Sequence, residues 1–503
     1  MRKDSVLLIA VVLACVLHLG LAGGLLLTNL PLCDEGFYGI PAHSLESSGS
    51  LRNPVMESSG VAYLKGIDRV FYWMAPIGML IQAAAFRLFG FSLFAQRAVS
   101  VLCGAGTVVA WFYAMRCLFE RQVAALSSAI LAVDVVFCSL ASRGRADMMS
   151  LFFGCLGLAF YLNLRERSLR GALWGGHCGC AIAGLIHPLG GIVAFLSMAV
   201  LMIGLERDRL RFVDFCFAAS PYALFGIAWA AYIAKDPSLF VAQFIGNIRN
   251  RTLTPGGFDP AQAFHGETLR YMAAFGIDAL SGIRGLRILV PLSYLTSIMG
   301  CAILVRSSWR HVSLLLFLLA GSVLAVAAIE GSRQGWYVLY TIPVLSSLLA
   351  VWIAYLWKQE NRPLHWLGVA QMTIALMAAA SSVATIRNRH YQDVYQPLMN
   401  FLNTNVQQGD LVFGRSELYF DLQCRTCLRD DERLGANSGR RADFVVLDSD
   451  YRENIAGFAK TEGRTYGYIK NELGSEYLPV FHNAGYEVLR RKENAAGAHR
   501  NRP

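Results

Sequence analysis

Charged residues are scarce in this 503-residue sequence. Asp, Glu, Lys and Arg together make up 16% of the residues, whereas hydrophobic residues make up 55%. Soluble globular proteins carry about 25% charged residues, so this composition excludes an ordinary water-soluble chain and requires lipid to cover the apolar surface. The net charge of +10 is divided among small basic clusters between apolar segments. Because the basic residues form no single run, they argue against nucleic-acid binding.

The sequence also lacks the motifs of nucleotide-binding and zinc-binding proteins. It contains neither a glycine-rich dinucleotide fingerprint nor a P-loop, and its Gly190-Gly191 pair lies at a turn between apolar stretches. Cys424 and Cys427 form a CxxC motif, but no second CxxC or His pair lies nearby, so a structural zinc site is not expected. This leaves a disulfide or two free thiols for the pair.

Eleven apolar stretches predict an all-α polytopic membrane domain over residues 1–386, because each can cross about 30 Å of hydrocarbon. Two of them are short spans within 171–205, separated by a turn at His187 to Gly191. The first stretch is longer than the ~7–15-residue apolar core of a signal peptide, so we expect an uncleaved signal anchor. The other stretches, with the first, lie near residues 6–27, 98–117, 122–141, 147–164, 213–233, 288–305, 312–329, 336–357 and 364–386.

The stretch Val70–Phe89 is also apolar, but the distribution of basic residues indicates that it does not cross the membrane. We expect an amphipathic juxtamembrane helix there, on the outer surface, with Phe71, Tyr72 and Trp73 at the interface. The arginine-rich short loops then lie on the side of the N-terminus, as the positive-inside rule requires. This topology predicts a cytoplasmic N-terminus, with loops 28–97 and 234–287 outside.

Residues 387–493 have a soluble composition and predict a small extracytoplasmic α/β domain. Apolar runs bounded by turn residues predict strands at Asp410–Phe413, Asp443–Asp448 and Tyr486–Leu489. The apolar periodicity of Gln392–Val406 predicts an amphipathic helix. Residues 494–503 are expected to form a disordered tail.

Ionisable residues concentrate at the predicted outer ends of the spans, where such groups are functional candidates. Guanidinium groups match the charge and shape of a phosphate ester. A carboxylate can take the proton of an incoming hydroxyl or amine, and carboxylates stabilise positive charge that develops at an anomeric carbon. The segments concerned are Asp34-Glu35, Arg97, the loop from Arg143 to Asp147 and the loop from Glu330 to Arg333.

An ordered set of motifs over roughly residues 1–390 resembles the GT-C membrane glycosyltransferases. Within that group it is most similar to the protein O-mannosyltransferases and the lipid A aminoarabinose transferases. In chain order the motifs are Asp34-Glu35-Gly-Phe-Tyr38 in the first outer loop, Tyr72 to Pro76 before the juxtamembrane helix, Ala95 to Ser100 at the next span, Ser142-Arg143 with Asp147-Met148, and Trp336-Tyr337 with Pro343. The resemblance implies a GT-C-like fold and transfer of a sugar from a polyprenyl-phosphate carrier.

The resemblance also implies roles for individual residues. Asp34 would be the general base and Glu35 its partner in the acceptor or metal environment. Arg97 would hold the carrier phosphate with help from Arg143, and Asp147 would support the site electrostatically. The remaining implied members of the active site are Glu330 and Arg333.

No cofactor is established by the sequence, and a divalent cation is left open, with Glu35 and Asp147 as its candidate ligands. Relatives commonly carry His or Lys just before the proline of the juxtamembrane helix. Here Trp73-Met74-Ala75 precedes Pro76, so Lys65 or Arg69 would have to supply that contact.

The function expected from these residues is inverting transfer of a sugar from a polyprenyl-phosphate donor to a lipid, glycan or protein acceptor. The setting expected is the outer face of a bacterial inner membrane, with a periplasmic C-terminal domain and no nucleic-acid partner. Two alternatives remain open: a lipid or sugar transporter, and a scaffold whose soluble tail binds partners. A transporter would place its charges at the bilayer midplane, whereas an enzyme of this kind would place them in one outer cavity.

Overall fold

The chain is described from a computed structural model that covers residues 2–252, 260–277, 285, 287–304, 309–331, 334–360 and 362–492. Arg333 and the tail at 494–503, for which predictions were made, lie outside the described residues. The helices of the N-terminal part are α1 Arg2–Thr28, α2 Cys33–Ser48, α3 Ile77–Phe89, α4 Leu93–Met115, α5 Arg121–Val133, α6 Val135–Ala141, α7 Ala146–Leu164, α8 Leu169–Ile186, α9 Pro188–Glu206, α10 Phe212–Ile233, α11 Pro237–Phe240, α12 Gly246–Thr252, α13 Pro260–Phe275, α14 Leu289–Leu304, α15 Trp309–Ile329, α16 Ile342–Trp357 and α17 Arg362–Arg387.

The predicted all-α polytopic membrane domain is confirmed. Within the described ranges, seven helices are long and apolar enough to cross a membrane, or eight if the bent pair α5 and α6 is one span. Each predicted span coincides with a helix, except 122–141, which is divided between α5 and α6. The helices α14 and α16 are shorter than the seven, and α8 is not among the seven. The predicted number of eleven is therefore reached only if α8, α14 and α16 also cross.

The bend between α5 and α6 has a side-chain cause. The two helices meet at an angle of 60°. Asp134, between them, accepts a hydrogen bond on Oδ1 from the Phe137 N–H at 2.9 Å, which caps the start of α6. Its Oδ2 accepts a second one from the Tyr294 hydroxyl of α14 at 2.8 Å. A carboxylate inside an apolar stretch is thus paired with backbone and with a neighbouring helix, as burial requires.

The juxtamembrane helix is shorter than predicted and its aromatic start is placed differently. Only Ile77–Phe89 is helical, because the backbone before Pro76 is sterically excluded from the helical region. At about 1.5 Å per residue the helix is too short to cross about 30 Å of hydrocarbon. Phe71 and Tyr72 are buried, and the Tyr72 N–H donates to Gln243 Oε1 at 2.7 Å. These aromatic residues anchor the outer loop to the protein and do not lie at a lipid interface.

The C-terminal part is a small mixed sheet with three helices, which confirms the predicted α/β composition. The strand order is β2-β1-β3-β5-β4, in which β1 pairs in parallel with β2 and β3, whereas β5 pairs antiparallel with β3 and β4. Cys424 and Cys427 form a disulfide. The elements are α18 Gln396–Asn405, β1 Val412–Phe413, β2 Leu428–Arg429, β3 Phe444–Leu447, α19 Ser449–Thr461, α20 Gly463–Glu476, β4 Tyr477–His482 and β5 Glu487–Arg491.

The C-terminal part follows the last span in the chain, and it packs on the first outer loop. Asp430 continues β2 and exchanges backbone hydrogen bonds with Val55 and Glu57, each at 2.9 Å. A Cβ on Gly36 of α2 would lie 2.2 Å from the Ser416 carbonyl carbon, so only glycine permits this approach. The domain boundary at residue 386 stays a prediction, but α2 is held from both sides by the membrane helices and this domain.

We expect Gly179→Val to destabilise the membrane domain, because α7 and α8 approach each other through glycines. A Cβ at Gly179 would lie 2.6 Å from the Gly157 Cα and 2.7 Å from the Phe153 carbonyl oxygen. Overpacking of this kind costs about 1–3 kcal/mol. Thermal unfolding in detergent measures the loss. Gly226→Val, on α10 with no atom within 4 Å of its Cβ position, is the matched control, and an equal loss in both variants would contradict the packing argument.

Candidate active site

A fully buried ion pair joins α2 to α4. Arg97 donates to Glu35 through Nε to Oε1 and through Nη2 to Oε2, both at 2.7 Å, and neither side chain is exposed to solvent. Glu35 lies in the first turn of α2, and its Oε2 also accepts the N–H of Leu32 at 2.9 Å. The Gly144 N–H donates to Oε1 at 2.7 Å. One carboxylate therefore fixes the start of α2, α4 and the loop before α7 relative to one another.

The electrostatics of Glu35 follow from these partners. Burial alone would raise the pKa of Glu35, but the adjacent Arg97 guanidinium, with Arg143 and the Gly144 N–H, holds that pKa below its ordinary value. The carboxylate is therefore ionised at neutral pH and acts as the counter-ion of Arg97. A group with this pKa and no exposure is poorly suited to exchange a proton with a substrate.

Arg97 has no donor left for a phosphate in this arrangement. Besides the two bonds to Glu35, its Nη1 donates to the carbonyls of Leu26 and Asn29 at 2.8 and 3.0 Å, and its Nη2 donates to Leu30 at 3.0 Å. These bonds use all five N–H groups of the guanidinium. The expected phosphate-binding role of Arg97 is thus not supported by this geometry. Arg97 instead holds the loop between α1 and α2 in place, and we call it the clamp of that loop.

A second charged group brings Asp34 and Asp147 together through Arg145. Arg145 Nη1 binds Asp34 Oδ2, and its Nε donates to Asp147 Oδ2 at 2.8 Å. The Asp34 side chain is 40% exposed, whereas those of Arg145 and Asp147 are 4% exposed. The Trp336 ring covers the Arg145 guanidinium at 4.9 Å. Asp34 is consequently the carboxylate of this group that substrate can reach.

Asp147 is enclosed by side chains from three helical regions. Its Oδ1 accepts from the Tyr340 hydroxyl at 3.5 Å and lies 3.6 Å from His187 Nε2, at the break between α8 and α9. Asp147 is paired with Arg145, and it therefore holds the Arg145 guanidinium beside Asp34. This geometry is consistent with the supporting role expected for Asp147, which stays a prediction.

The described residues do not form a binding site for the divalent cation that the sequence left open. Glu35 is bound to Arg97 and Asp147 to Arg145, so neither carboxylate has the open coordination that a hard cation requires. In the part of the chain that the structure describes, no three His, Cys, Asp or Glu side chains are grouped closely enough to hold a metal ion. No step below is therefore assigned to a metal.

Arg143 has guanidinium N–H groups that are not used in hydrogen bonds with the described residues. Its Nη1 donates to the Leu30 carbonyl, and its side chain makes no other hydrogen bond with the described residues. Burial and the neighbouring Arg97 lower the pKa of Arg143 to about 10, so it stays protonated at neutral pH. Because Leu30 also accepts from Arg97, Arg143 lies at the edge of the buried pair, with most of its guanidinium N–H groups available to an anion.

Glu330 is placed in a separate ion pair. Arg270 of α13 donates through Nη1 to Glu330 Oε2 at 3.0 Å and to the Gln334 carbonyl at 3.1 Å, and through Nη2 to the Glu330 carbonyl at 2.9 Å. These hydrogen bonds connect α13 to Glu330, directly after α15, and to Gln334, two residues before Trp336. This geometry gives Glu330 a positional role, and its expected membership of the active site stays a prediction; Arg333 lies outside the described residues.

A cavity of about 510 Å³ opens beside Asp34, between the membrane domain and the C-terminal domain. Sequence reasoning assigned no role to Arg145 or Arg415, although Arg145 lies in the same short loop as Arg143 and Asp147. Arg415 had no local signal, because its partners across the cavity are distant in the chain. Arg270 belongs to the outer loop 234–287, for which the sequence left open gating of the site or contact with acceptor phosphates, and the structure pairs it with Glu330. The lining includes Leu32, Cys33, Asp34, Phe37, Tyr38, Met56, Tyr63, Leu64 and Trp73 from the first outer loop, Asn247, Asn250, Gln334 and Trp336, and Arg415, Glu432, Asp450, Glu453 and Asn454 from the C-terminal domain.

We expect Arg97→Met to lower the free energy of unfolding by about 3–5 kcal/mol, because it leaves Glu35 as an unpaired buried charge. Glu35→Gln should lower it similarly, and the double variant should lose less than the sum of both. Thermal and denaturant unfolding in detergent measure these losses. Arg87→Met, at an exposed position of α3, is the control. Unchanged stability of Arg97→Met together with lost donor binding would instead restore the phosphate-binding role.

Comparison with known proteins supports the sequence-based resemblance. Residues 74–230 match the family model described as dolichyl-phosphate-mannose-protein mannosyltransferase. A search of curated protein sequences finds no significant match. The family match thus extends from the juxtamembrane region to α10.

Three solved structures are similar to the whole chain. ArnT from Cupriavidus metallidurans, bound to undecaprenyl phosphate, has a TM-score of 0.59 at 14% identity and covers 96% of this chain and 97% of its own. The Archaeoglobus fulgidus oligosaccharyltransferase in the apo form has a TM-score of 0.58 at 11% identity over 97% of this chain and 74% of its own. The same organism's AglB, in complex with an inhibitory peptide and a dolichol-phosphate, has a TM-score of 0.54 at 13% identity, covering 98% and 75%. The predicted resemblance to the GT-C membrane glycosyltransferases is therefore confirmed in the fold of the chain and in the family match of its residues 74–230.

Proposed function

We propose that this protein is a membrane glycosyltransferase that moves a sugar from a polyprenyl-phosphate carrier to an acceptor. The fold, the family match and the carrier lipids bound by the similar structures support this class of donor. The observation that carries the proposal is the position of Asp34, an accessible carboxylate at the wall of a large cavity and fixed by Arg145. Enzymes need such a positioned group within reach of the proton that is to be removed.

In the proposed reaction an acceptor hydroxyl or amine attacks the anomeric carbon of the donor sugar. The bond from that carbon to the phosphate oxygen breaks, and the configuration inverts. Asp34 takes the proton of the acceptor. Its Oδ2 is held by Arg145, whereas its Oδ1 makes no hydrogen bond with any described residue and is free to accept that proton. The phosphate leaves with the electron pair of the broken bond and an additional negative charge.

Arg143 is the residue we propose for the leaving phosphate. It combines a positive charge at neutral pH with unused donors. A planar guanidinium can bind two phosphate oxygens at once, and its charge is worth most where water is excluded. Arg97 then contributes indirectly, by fixing the Leu30 carbonyl to which Arg143 is bound.

The proposed side of the membrane is the extracytoplasmic one. The charged groups lie near helix ends: Glu35 and Asp147 are in the first turns of α2 and α7. The other end of α7 leads into a basic and acidic cluster in which Arg165 binds Glu206. Under the positive-inside rule the arginine-rich end is cytoplasmic, which places the site and the C-terminal domain outside, in the periplasm if the membrane is a bacterial inner membrane.

The transporter alternative is less well supported by this arrangement. Transporters place substrate sites near the midplane, at discontinuous helices that occur in related halves. The sequence shows no internal repeat, and the paired charges gather at one end of the helices beside a cavity shared with the C-terminal domain. A chemical step at the outer surface accounts for that placement more directly.

We expect Asp34→Asn to lower the turnover number by about 10²–10⁴, the range that a general base contributes, without changing donor binding. The amide keeps the shape of the side chain but cannot accept the proton. The assay follows release of polyprenyl phosphate from purified enzyme together with thermal unfolding. Glu46→Gln, on the same helix and paired with His43, is the control. Wild-type turnover in Asp34→Asn would remove Asp34 as the base.

We expect Arg143→Ala to weaken binding of the polyprenyl-phosphate sugar by about tenfold or more, because a charge-assisted contact of about 1.5–3 kcal/mol is lost. Arg143→Lys should retain part of the affinity. Since the pKa of Arg143 is lowered to about 10, wild-type affinity should be constant from pH 6 to 8 and fall as the pH approaches 10. Titration of the donor lipid measures both effects. Unchanged affinity in Arg143→Ala at every pH would contradict the assignment.

A further inference from the structure

The C-terminal domain supplies one complete wall of the cavity that contains Asp34. Arg415 comes from the segment after β1, Glu432 from the loop after β2, and Asp450, Glu453 and Asn454 from α19. The rest of the lining includes residues of α2 and the aromatic residues Trp73 and Trp336. A ligand beside Asp34 therefore touches both domains.

Arg415 is a buried cation that is turned towards this space. It is 7% exposed and its Nη1 donates to Glu432 Oε1 at 3.2 Å. Its Nε makes no hydrogen bond with the described residues but lies 3.9 Å from Asp448 Oδ1, within the range of an ion pair. The Tyr451 ring, 4.5 Å from the guanidinium carbon, fixes its plane. A guanidinium held in this way is a directed hydrogen-bond donor, and a buried donor without a partner is costly unless a ligand or water satisfies it.

Among the described residues that line the cavity, negative charges outnumber positive ones. Asp34, Glu432, Asp450 and Glu453 are carboxylates, and Arg415 is a guanidinium. Asn454 donates to Glu432 Oε1 at 3.2 Å, so that Oε2 of this carboxylate remains for a ligand. Glu453 is exposed and makes no ion pair with the described part of the chain. An anionic group would be repelled from this wall, whereas hydroxyl and ammonium groups would find acceptors.

The shape and the apolar part of the cavity agree with a sugar. A pyranose ring has apolar C–H faces that pack on aromatic rings and hydroxyls that bind planar carboxylate, amide and guanidinium groups. The cavity has both kinds of surface, and its volume of about 510 Å³ falls in the range of small-ligand pockets. The volume suits one or two sugar residues.

We propose that the C-terminal domain forms the acceptor subsite and that the group it takes is a neutral or amino-bearing sugar residue, not an anionic one. The assignment to the acceptor rests on the proposed function, since the nucleophile must lie beside the general base Asp34. The donor phosphate is assigned to Arg143, which is not part of this cavity's lining. Arg415 and Glu432 would orient the acceptor hydroxyls, and Asp450 and Glu453 would select against negative charge.

The test uses the purified full-length protein in detergent and three disaccharides of the same linkage as probes. One is neutral, one carries an amino group and one carries a carboxylate. Their dissociation constants are measured by ligand-observed NMR titration. We expect the acidic disaccharide to bind about tenfold more weakly than the neutral one, the equivalent of about 1.4 kcal/mol, and the amino sugar to bind at least as well as the neutral one.

The double variant Asp450→Asn, Glu453→Gln should reduce the discrimination against the acidic disaccharide to about threefold or less, because it removes the two exposed charges. Glu476→Gln, whose carboxylate at the end of α20 accepts from the adjacent Ser475, should leave it unchanged. Arg415→Ala should weaken binding of all three probes, and thermal unfolding of each variant separates this from a loss of fold.

Equal or tighter binding of the acidic disaccharide by the wild-type protein would overturn the proposal, as would a double variant with unaltered discrimination. Cleavage of a polyprenyl-phosphate sugar is assayed in parallel, with the neutral and the amino disaccharide as acceptors. If the donor is cleaved but the probes show no charge discrimination, only the acceptor subsite is rejected. If the donor is not cleaved by the wild-type protein, the proposed transferase function itself fails.

Discussion

The buried ion pair between Glu35 and Arg97 is the interaction on which the geometry of the site depends. Two charges that are completely removed from water persist only if each is fully hydrogen-bonded. Here every N–H of Arg97 and both oxygens of Glu35 are used. The partners include the carbonyls at the end of α1, which have no partners within that helix. The pair therefore sets the direction in which the chain leaves α1 and enters α2, and with it the position of Asp34.

A second constraint comes from the other side of α2. The approach of Gly36 to the backbone at Ser416 and the backbone bonds of Asp430 to the first outer loop fix the C-terminal domain on the same short segment. Buried residues of both regions, among them Phe37 and Phe420, belong to one continuous apolar core. The cavity thus lies between the membrane domain and the C-terminal domain, which both pack on α2. This packing explains how a domain far along the chain can line a site at the end of the membrane helices.

The charged groups divide into those that hold the structure and those that face the cavity. Arg97, Glu35, Arg270 and Glu330 are consumed by partners, whereas Asp34, Arg143 and Arg415 retain unused acceptor or donor positions within the described parts of the chain. Arg145 belongs to both classes. It is buried against Asp147 and Trp336, and it also binds Asp34, which faces the cavity. Sequence reasoning could not separate these two classes, because the spacing of the residues contains no information about which hydrogen bonds are already made.

The sequence by itself determined the membrane character, the positions of the apolar helices, the break at His187 and the small α/β part. These follow from local patterns of apolar residues and turn residues, which depend only on neighbours in the chain. It also pointed to the segments of Asp34, Arg97 and Asp147, which the structure brings to one end of the bundle. Only the tertiary structure decided that Arg97 is a clamp, that Arg145 bridges two carboxylates, and that Arg415 shares a cavity with Asp34. Except for the pair of Arg145 with Asp147, these contacts join residues far apart in sequence. Packing of the whole chain therefore decides which partner each donor or acceptor binds.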